Sequence, residues 1–156
     1  MHLNRREFIA ASSAMTAAAI AGSGSGKKYK ACIIGDSKLG GYGHCIQYAF
    51  ALRDDVATVA LADPDEGGRA QHAKEVGVER TYADYREMLE KERPDLVAVG
   101  PRCTVNHRDY VLACAEVGAH GFIEKPFCDD LASGDGMVAA IEAKNLKWAI
   151  AFNFRG

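Results

Sequence analysis

The amino-acid sequence predicts an α/β protein built on a doubly wound parallel sheet. Short apolar runs that fit buried strands alternate with segments of about ten residues that fit helices, which is the order of right-handed βαβ units. A glycine-rich turn follows the first apolar run, where such sheets carry their first strand-to-helix turn. The 156 residues have a net charge of -2, with 48% hydrophobic and 26% charged residues. This composition is that of a globular domain and does not suggest a nucleic-acid-binding surface.

Residues 1–26 are predicted to be an export signal and a spacer. Arg5 and Arg6 precede an alanine-rich, modestly apolar run over residues 8–21, and the sequence N-R-R-E-F-I resembles a twin-arginine signal. An Ala-Ile-Ala motif at 19–21 offers a cleavage site before a glycine-serine spacer. We therefore expect a periplasmic or otherwise exported protein. The alternative is an amphipathic or membrane-anchoring helix, but the run is too short for a stable membrane span, which needs about 20 apolar residues.

The strands are predicted from short runs of small and β-branched apolar residues, which fit parallel strands buried on both faces. The run Arg80–Tyr82 is shorter and more polar, so it is assigned to an edge of the sheet. Within a domain expected at 27–156, the predicted strands are 31–34, Val56–Ala62, Arg80–Tyr82, 95–100, 121–124 and 148–152.

The helices are predicted from apolar residues at helical spacing, between residues that cap helix ends. Asp84 is placed to cap the third helix, in which Met88 and Leu89 point inward, and Pro94 ends it. Gly118 is placed to end the fourth helix. The predicted helices are 44–52, Glu66–Val76, 84–93, 106–117 and 131–144.

The turn after the first strand is a candidate phosphate-binding loop. Backbone N–H groups and the positive end of a helix can approach a pyrophosphate there only where side chains are small or absent. The usual G-x-G-x-x-G spacing is met in part, since Gly35 stands first and Ser37 takes the second glycine's place. Gly40 or Gly41 serves as the third, and Leu39 completes the predicted cofactor contacts in this loop. Glycine-rich turns also join strands to helices in many proteins that bind no nucleotide.

Asp63 directly follows the second predicted strand and is a candidate ligand of an adenosine ribose. A carboxylate there can accept hydrogen bonds from the two ribose hydroxyls, and its charge would repel a 2′-phosphate. NAD is therefore favoured over NADP. The alternative is that residues 63–65 form only a turn and a helix cap.

The cysteines do not predict a disulfide framework or a metal site. The five are scattered, odd in number and never arranged as C-x-x-C. Cys103 and His107 are four positions apart, a spacing that also occurs in metal sites, but no further ligand pair accompanies them. Cys128 has no adjacent base in the sequence, so no catalytic thiol is predicted.

Several motifs lie directly after predicted strands, at the edge where open parallel sheets bind ligands. They include A-D-P-D at residues 62–65, the loop from Pro101 to His107, and E-K-P at 124–126, and they are joined by A-C-A-E-V-G-A-H at 113–120. From residue 29 to 154, the sequence resembles the amino-terminal nucleotide-binding domain of the Gfo/Idh/MocA (glucose-fructose oxidoreductase and inositol dehydrogenase) family. The resemblance implies a Rossmann-type fold.

The resemblance also implies an NAD(P)-dependent oxidoreductase that acts on sugars, cyclitols or their derivatives. Lys125 is then expected near the nicotinamide and the substrate hydroxyl, where a lysine in a partly desolvated cleft can hold or accept the hydroxyl proton. Glu124 is expected to orient the cofactor or to pair with Lys125, and Pro101 to contact the cofactor. His107 is expected either to touch the cofactor or substrate, or to be satisfied by backbone groups at the start of a helix.

The sequence departs from the family pattern at Ser37 and at an extra residue between Gly40 and His44. It also ends at Gly156. Because the family continues into a second, open-sheet domain, the resemblance implies a truncated product with little or no activity alone. The alternative expectation is a non-enzymatic dinucleotide-binding or interaction module, or the partner of a separate substrate domain. Apolar surface that a second domain normally covers is expected to be exposed and to favour self-association.

Overall fold

The computed structural model describes residues 29–152, so the predicted export signal at 1–26 and the residues after 152 lie outside the described part of the chain. Within this part, six parallel strands form one sheet in the order β3-β2-β1-β4-β5-β6. The strands are β1 (Tyr29–Ile34), β2 (Val56–Ala62), β3 (Arg80–Tyr82), β4 (Leu96–Val99), β5 (His120–Ile123) and β6 (Trp148–Ile150). The strand order reverses between β1 and β4, which makes this the switch point where doubly wound sheets bind ligands. The predicted fold class is confirmed.

The α-helices that connect these strands are α1 (Glu66–Val76), α2 (Tyr85–Glu92), α3 (His107–Glu116) and α4 (Leu131–Ala143). Asp65, Asp84 and Asp130 each stand before a helix and accept a hydrogen bond from a backbone N–H of its first turn. These caps pair donors that the start of a helix leaves unsatisfied. The four helices and six strands lie within two residues of their predicted bounds. No helix among residues 29–152 is long and apolar enough to cross a membrane.

The predicted helix at 44–52 is wrong. That segment forms a 3-10 helix only at Ile46–Tyr48 and otherwise consists of turns. The backbone enters it through left-handed conformations at Gly43 and Cys45, with φ of 54° and 63°, and no side chain caps its first turn. A right-handed helix does not propagate through left-handed residues, so the apolar residues of this segment pack locally instead of forming a helical face.

The two faces of the sheet carry different layers. The helices α2, α3 and α4 cover one face, with Met88, Val111 and Met137 in its core. The helix α1 and the segment that follows the glycine loop cover the other, with Tyr42 and Ile46 in its core. Tyr42 and Ile46 therefore fill space that a helix after β1 would otherwise fill.

The second face is incompletely covered at the amino ends of β1, β4 and β5. A cavity of about 490 Å³ lies there, and its lining includes Tyr29, Phe50, Val56, Leu96, His120 and Phe122. We call this cavity the amino-edge groove. It supplies exposed apolar surface of the kind expected from the sequence, while self-association through it stays a prediction.

Candidate functional site

The carboxyl edge of the sheet brings the predicted site residues together. The loop 35–43 follows β1, Asp63 follows β2, Pro101 lies beyond β4, and Glu124 follows β5. The N–H of Arg102 donates to the carbonyl of Gly40 at 3.4 Å, so the glycine loop touches the segment after β4. The motifs separated in sequence thus form one continuous rim at the switch point of the sheet.

The glycine loop closes on Asp36. The Asp36 carbonyl accepts the N–H groups of Leu39 at 3.1 Å and Gly41 at 2.6 Å. Its carboxylate accepts the N–H groups of Lys38 and Leu39 at 3.2 and 2.9 Å. Gly40 and Gly41 turn the chain with φ of 104° and 67°, which glycine adopts without steric cost. Backbone donors of this kind bind phosphate oxygens, so a carboxylate of the chain itself already occupies two of them.

The shape of the rim fits a dinucleotide. A Cβ atom on Gly41 would meet no atom within 4 Å, so the loop presents bare backbone there. Beside it lies a cavity of about 240 Å³ whose lining includes Gly35, Asp63, Tyr85 and Tyr110. Because clefts for whole drug-sized ligands begin at about 300 Å³, this cavity suits one part of a dinucleotide, such as the adenosine.

Two tyrosines form one wall of this cavity. The rings of Tyr85 and Tyr110 meet edge to face with their centroids 4.8 Å apart, an arrangement that favours aromatic pairs. Burial raises the pKa of both phenols. Both hydroxyls therefore stay protonated at neutral pH and offer hydrogen-bond donors at this edge.

Asp63 is fully buried and is satisfied by the chain. Its Oδ2 accepts hydrogen bonds from the Ser37 N–H at 3.0 Å, the Ser37 hydroxyl at 2.6 Å and the Tyr42 hydroxyl at 2.9 Å. Its Oδ1 accepts the N–H of Asp65 at 2.9 Å, the arrangement of the turn that was the alternative interpretation. Burial and the Asp63 charge raise the pKa of Tyr42 well above its usual range, so the phenol remains a donor. Binding of a ribose by Asp63 stays a prediction.

Glu124 joins the end of the glycine loop to the turn after β5. Its carboxylate is fully buried. Oε2 accepts the backbone N–H of His44 at 3.0 Å, and Oε1 lies 3.0 Å from Nδ1 of the His44 ring and 3.1 Å from the N–H of Lys125. A Cβ on Gly43 would collide with this carboxylate. Glu124 therefore holds the backbone of Lys125, and whether it also orients a cofactor stays a prediction.

Lys125 lies immediately after β5, at the rim, and is exposed. Its peptide bond to Pro126 is cis. The partly desolvated setting expected for a proton-transferring lysine is therefore not provided by residues 29–152 themselves. The catalytic role of Lys125 stays a prediction.

His107 begins α3 and is buried beneath the rim. Its Nε2 lies 2.7 Å from the carbonyl oxygen of Pro101, and its Nδ1 lies 3.1 Å from that of Phe127. These contacts correspond to the backbone-satisfied alternative, although a neutral imidazole carries one N–H and satisfies only one carbonyl. The ring thus links the segment after β4, including Pro101, to the segment after β5. Contacts of His107 or Pro101 with a cofactor or substrate stay predictions.

No metal-binding arrangement is formed by the described residues. Among residues 29–152, no group of three or more His, Cys, Asp or Glu side chains is placed to hold a metal ion. Cys103 and Cys128 are free thiols and half-buried.

Sequence reasoning missed four residues of this rim: Asp36, Tyr42, Gly43 and His44. The contacts of Tyr42 with Asp63 and of His44 with Glu124 join positions that are 21 and 80 residues apart, which no local pattern reveals. The one available signal was the extra residue in the loop, which marks where the chain leaves the usual strand-to-helix path.

Residues 29–152 match the family model GFO_IDH_MocA, described as an oxidoreductase family with an NAD-binding Rossmann fold. The D-apiose dehydrogenase of Paraburkholderia graminis is 31% identical over 129 residues, which are 83% of this chain and 33% of that protein. The myo-inositol 2-dehydrogenase of Thermotoga maritima is 31% identical over 122 residues, or 78% of this chain and 36% of that protein. The chain therefore spans about a third of the length of these relatives.

Solved structures give the same result. A probable dehydrogenase from Thermotoga maritima superposes with a TM-score of 0.67 at 30% identity, covering 81% of this chain and 37% of that one. The myo-inositol 2-dehydrogenase of Lactobacillus plantarum superposes with a TM-score of 0.69 at 28% identity, covering 81% and 37%. An oxidoreductase from Agrobacterium radiobacter, solved with NAD+, has a TM-score of 0.73 at 23% identity over 83% and 36%, and it shares the fold. The chain belongs to the Gfo/Idh/MocA oxidoreductase family, and residues 29–152 form its NAD-binding Rossmann domain.

Proposed function

We propose that this chain binds NAD at the carboxyl edge of its sheet, as the cofactor domain of a dehydrogenase that oxidises a secondary hydroxyl of a sugar or cyclitol. The observation that carries the proposal is the convergence of the open glycine loop, the 240 Å³ cavity and the E-K-P turn at the switch point. The names of the two curated relatives, one acting on D-apiose and one on myo-inositol, support the substrate class.

Different residues of the rim would bind different parts of the dinucleotide. The bare backbone at Gly41 would face the pyrophosphate, whereas Gly40 packs against the backbone of Arg102 and Cys103. The cavity beside Tyr85 would take the adenosine. For the pyrophosphate to reach the N–H groups of Lys38 and Leu39, the Asp36 carboxylate would release them. Nothing at Gly41 blocks this approach.

The chemical step is assigned to the turn after β5. A bound nicotinamide would supply the acceptor for the hydride that the alcohol loses on oxidation. In its neutral amine form, Lys125 would accept the hydroxyl proton as the hydride leaves. Glu124 would fix the backbone that carries Lys125 through the hydrogen bond from its N–H.

Calorimetric titration of the full 156-residue chain with NAD and with NADP tests the proposal. We expect heat of binding with NAD, and the titration with NADP measures how far the chain prefers NAD. Gly41→Val should abolish the response, because its side chain would fill the open approach to the loop. Gly77→Val is the matched control, since Gly77 also has a positive φ of 79° and open space around it but lies at the end of α1. A folded chain that gives no heat with either nucleotide would overturn the proposal.

The second candidate function is an interaction module, and the amino-edge groove favours it. Aromatic and aliphatic side chains line this groove on a sheet face that carries no helix there. Apolar surface of this kind drives association. This role does not compete with cofactor binding, since the groove lies at the opposite edge of the sheet from the rim.

We also propose that residues 1–26 export the protein by the twin-arginine route. The paired Arg5 and Arg6, the modestly apolar run and the small residues before the spacer support it. Fusion of residues 1–26 to a reporter should send it to the periplasm, and replacing both arginines by lysine should retain it in the cytoplasm. Export that survives this replacement would argue against the route.

A further inference from the structure

Ser37 stands where the phosphate-loop pattern usually has its second glycine, and its side chain is held tightly in place. The hydroxyl donates to Oδ2 of Asp63 at 2.6 Å. A Cβ on Gly68, in the first turn of α1, would collide with the Ser37 side chain. The hydroxyl is thus enclosed between α1 and Asp63, so its hydrogen bond to the carboxylate is part of how the loop packs.

Both oxygens of the Asp63 carboxylate already accept donors from the chain, and Oδ1 accepts the N–H groups of Asp65 at 2.9 Å and of Ser37 at 3.3 Å. Oδ2 receives three donors, two from Ser37 and one from the Tyr42 hydroxyl, whereas a carboxylate offers about two lone-pair sites on each oxygen. The whole residue has no exposed surface. A ribose hydroxyl can reach Oδ2 only by displacing the Ser37 or the Tyr42 hydroxyl.

We propose that Ser37 is a specificity-determining residue: with Tyr42, it withdraws Asp63 from the adenosine ribose and makes this carboxylate the anchor of the glycine loop. The inference rests on the proposed binding of NAD and deepens it. A carboxylate that already carries three donors on one oxygen contributes little to ribose binding. The chain therefore discriminates weakly between NAD and NADP, and the two hydroxyls that donate to Oδ2 are the cause.

Removing the Ser37 hydroxyl should restore discrimination. Ser37→Ala keeps the Cβ atom and deletes the hydroxyl, so Oδ2 gains a free lone pair. We expect the ratio of NAD to NADP affinity to rise about tenfold, as expected for one new hydrogen bond to a charged acceptor. Ser37→Gly should do the same. Tyr42→Phe removes the other hydroxyl donor to Oδ2 while its ring stays packed in the core, so it should raise the ratio as well.

The experiment is a titration of the full chain with both nucleotides for the natural chain, Ser37→Ala and Tyr42→Phe. In the Ser37→Ala background, Asp63→Asn should lower the affinity for NAD and so reverse the gain. In the natural chain, Asp63→Asn should change the affinities for NAD and NADP by the same factor. If NAD binds and Ser37→Ala leaves the ratio where it was, the inference is wrong while the proposed function stands.

The anchoring role has its own measurement, independent of any nucleotide. Ser37→Ala and Asp63→Asn should each lower the thermal midpoint, by about 5 °C for a lost hydrogen bond to a buried charge. The double variant should lose much less than the sum, because both changes remove the same contact. Additive losses would overturn the anchor. If Asp63→Asn does not fold, the double-mutant cycle of Ser37→Ala with Tyr42→Phe decides, because both hydroxyls donate to Oδ2 of Asp63. Non-additive losses in the thermal midpoint support the anchor, and additive losses overturn it. If neither nucleotide binds any variant, the proposed function fails, and this cycle still decides whether Ser37 anchors the loop through Asp63.

Discussion

His44 and Glu124 meet twice at the rim: the backbone N–H of His44 donates to Oε2 at 3.0 Å, and its ring Nδ1 lies 3.0 Å from Oε1. The same carboxylate accepts the N–H of Lys125. One buried side chain thus fixes the distance between the end of the glycine loop and the residue proposed to handle the substrate proton. Whatever moves the loop must therefore move or break this contact.

His44→Ala should destabilise the chain by about 1 kcal/mol. A hydrogen bond to a charged group is worth about 1.5–3 kcal/mol, and the ring is 43% exposed, so solvent reduces the loss. His44→Asn keeps a side-chain donor near the position of Nδ1 and should recover part of the loss. Urea unfolding of the three chains measures both effects. Variants that are both as stable as the natural chain would mean that only the backbone contact matters.

Gly43→Ala should cost far more stability than Gly41→Ala. Both positions have left-handed φ, 54° and 67°, so both alanines carry a backbone penalty of about 1 kcal/mol. Only the Cβ on Gly43 collides with the buried Glu124 carboxylate, which adds an overpacking cost of about 1–3 kcal/mol. Urea unfolding compares the two variants. A Gly43→Ala chain as stable as Gly41→Ala would show that Glu124 can yield without loss.

The strands and helices could be predicted because each is determined locally. Apolar runs between acidic or glycine residues predicted β2 and β4, and the cap residue Asp84 marked the start of α2. The segment 44–52 failed for a specific reason. Its apolar spacing fits a helix, but the left-handed Gly43 and Cys45 prevent helix propagation, and nothing in their residue types required that conformation.

The candidate site was predictable by position but not by contact. Topology requires residues after parallel strands to share one edge, so Asp63 and Glu124 fell where expected. Their partners did not follow from topology, since side-chain hydrogen bonds depend on packing depth. Asp63 was expected to face a ligand and is instead enclosed by Ser37 and Tyr42. Burial of a short side chain beneath a loop is a tertiary property that sequence spacing does not encode.

Glu92 should make stability fall in acid. Burial raises its pKa, but hydrogen bonds from Tyr82 and Arg80, both 2.7 Å long, outweigh this and hold the pKa below its ordinary value of 4.5. A carboxyl whose pKa is lower in the folded chain stabilises above its unfolded pKa, and this contribution is lost as the pH falls through the lower, folded value. Glu92→Gln should cost about 1 kcal/mol at neutral pH.

The difference between the natural chain and Glu92→Gln should shrink as the pH drops below 4.5. Urea unfolding at a series of pH values measures it. A difference that stays constant down to the acid limit would assign the effect to packing rather than to the charge.

Tyr29→Ser should weaken self-association more than Tyr48→Ser. The two tyrosines are equally exposed, at 42% and 43%, but only Tyr29 lines the amino-edge groove. If copies of the chain meet through this groove, removing the Tyr29 ring from its lining reduces the apolar area buried in the contact. Sedimentation velocity over a range of concentrations compares the three chains. A natural chain that stays monomeric at every concentration would contradict the expectation of self-association.

Lys125 should be shielded by NAD if the nicotinamide lies at the E-K-P turn. Its ammonium is exposed in the unliganded chain, so an amine-reactive ester should label it readily. With saturating NAD, we expect labelling of Lys125 to slow severalfold, because a ligand covering the rim removes solvent and reagent together. Lys147 is the matched control, since it is also exposed but lies at the amino end of β6. Mass spectrometry of the labelled peptides reads out both lysines in one sample. Equal labelling of Lys125 with and without NAD, at concentrations where calorimetry shows binding, would place the nicotinamide elsewhere and remove Lys125 from the proposed proton transfer.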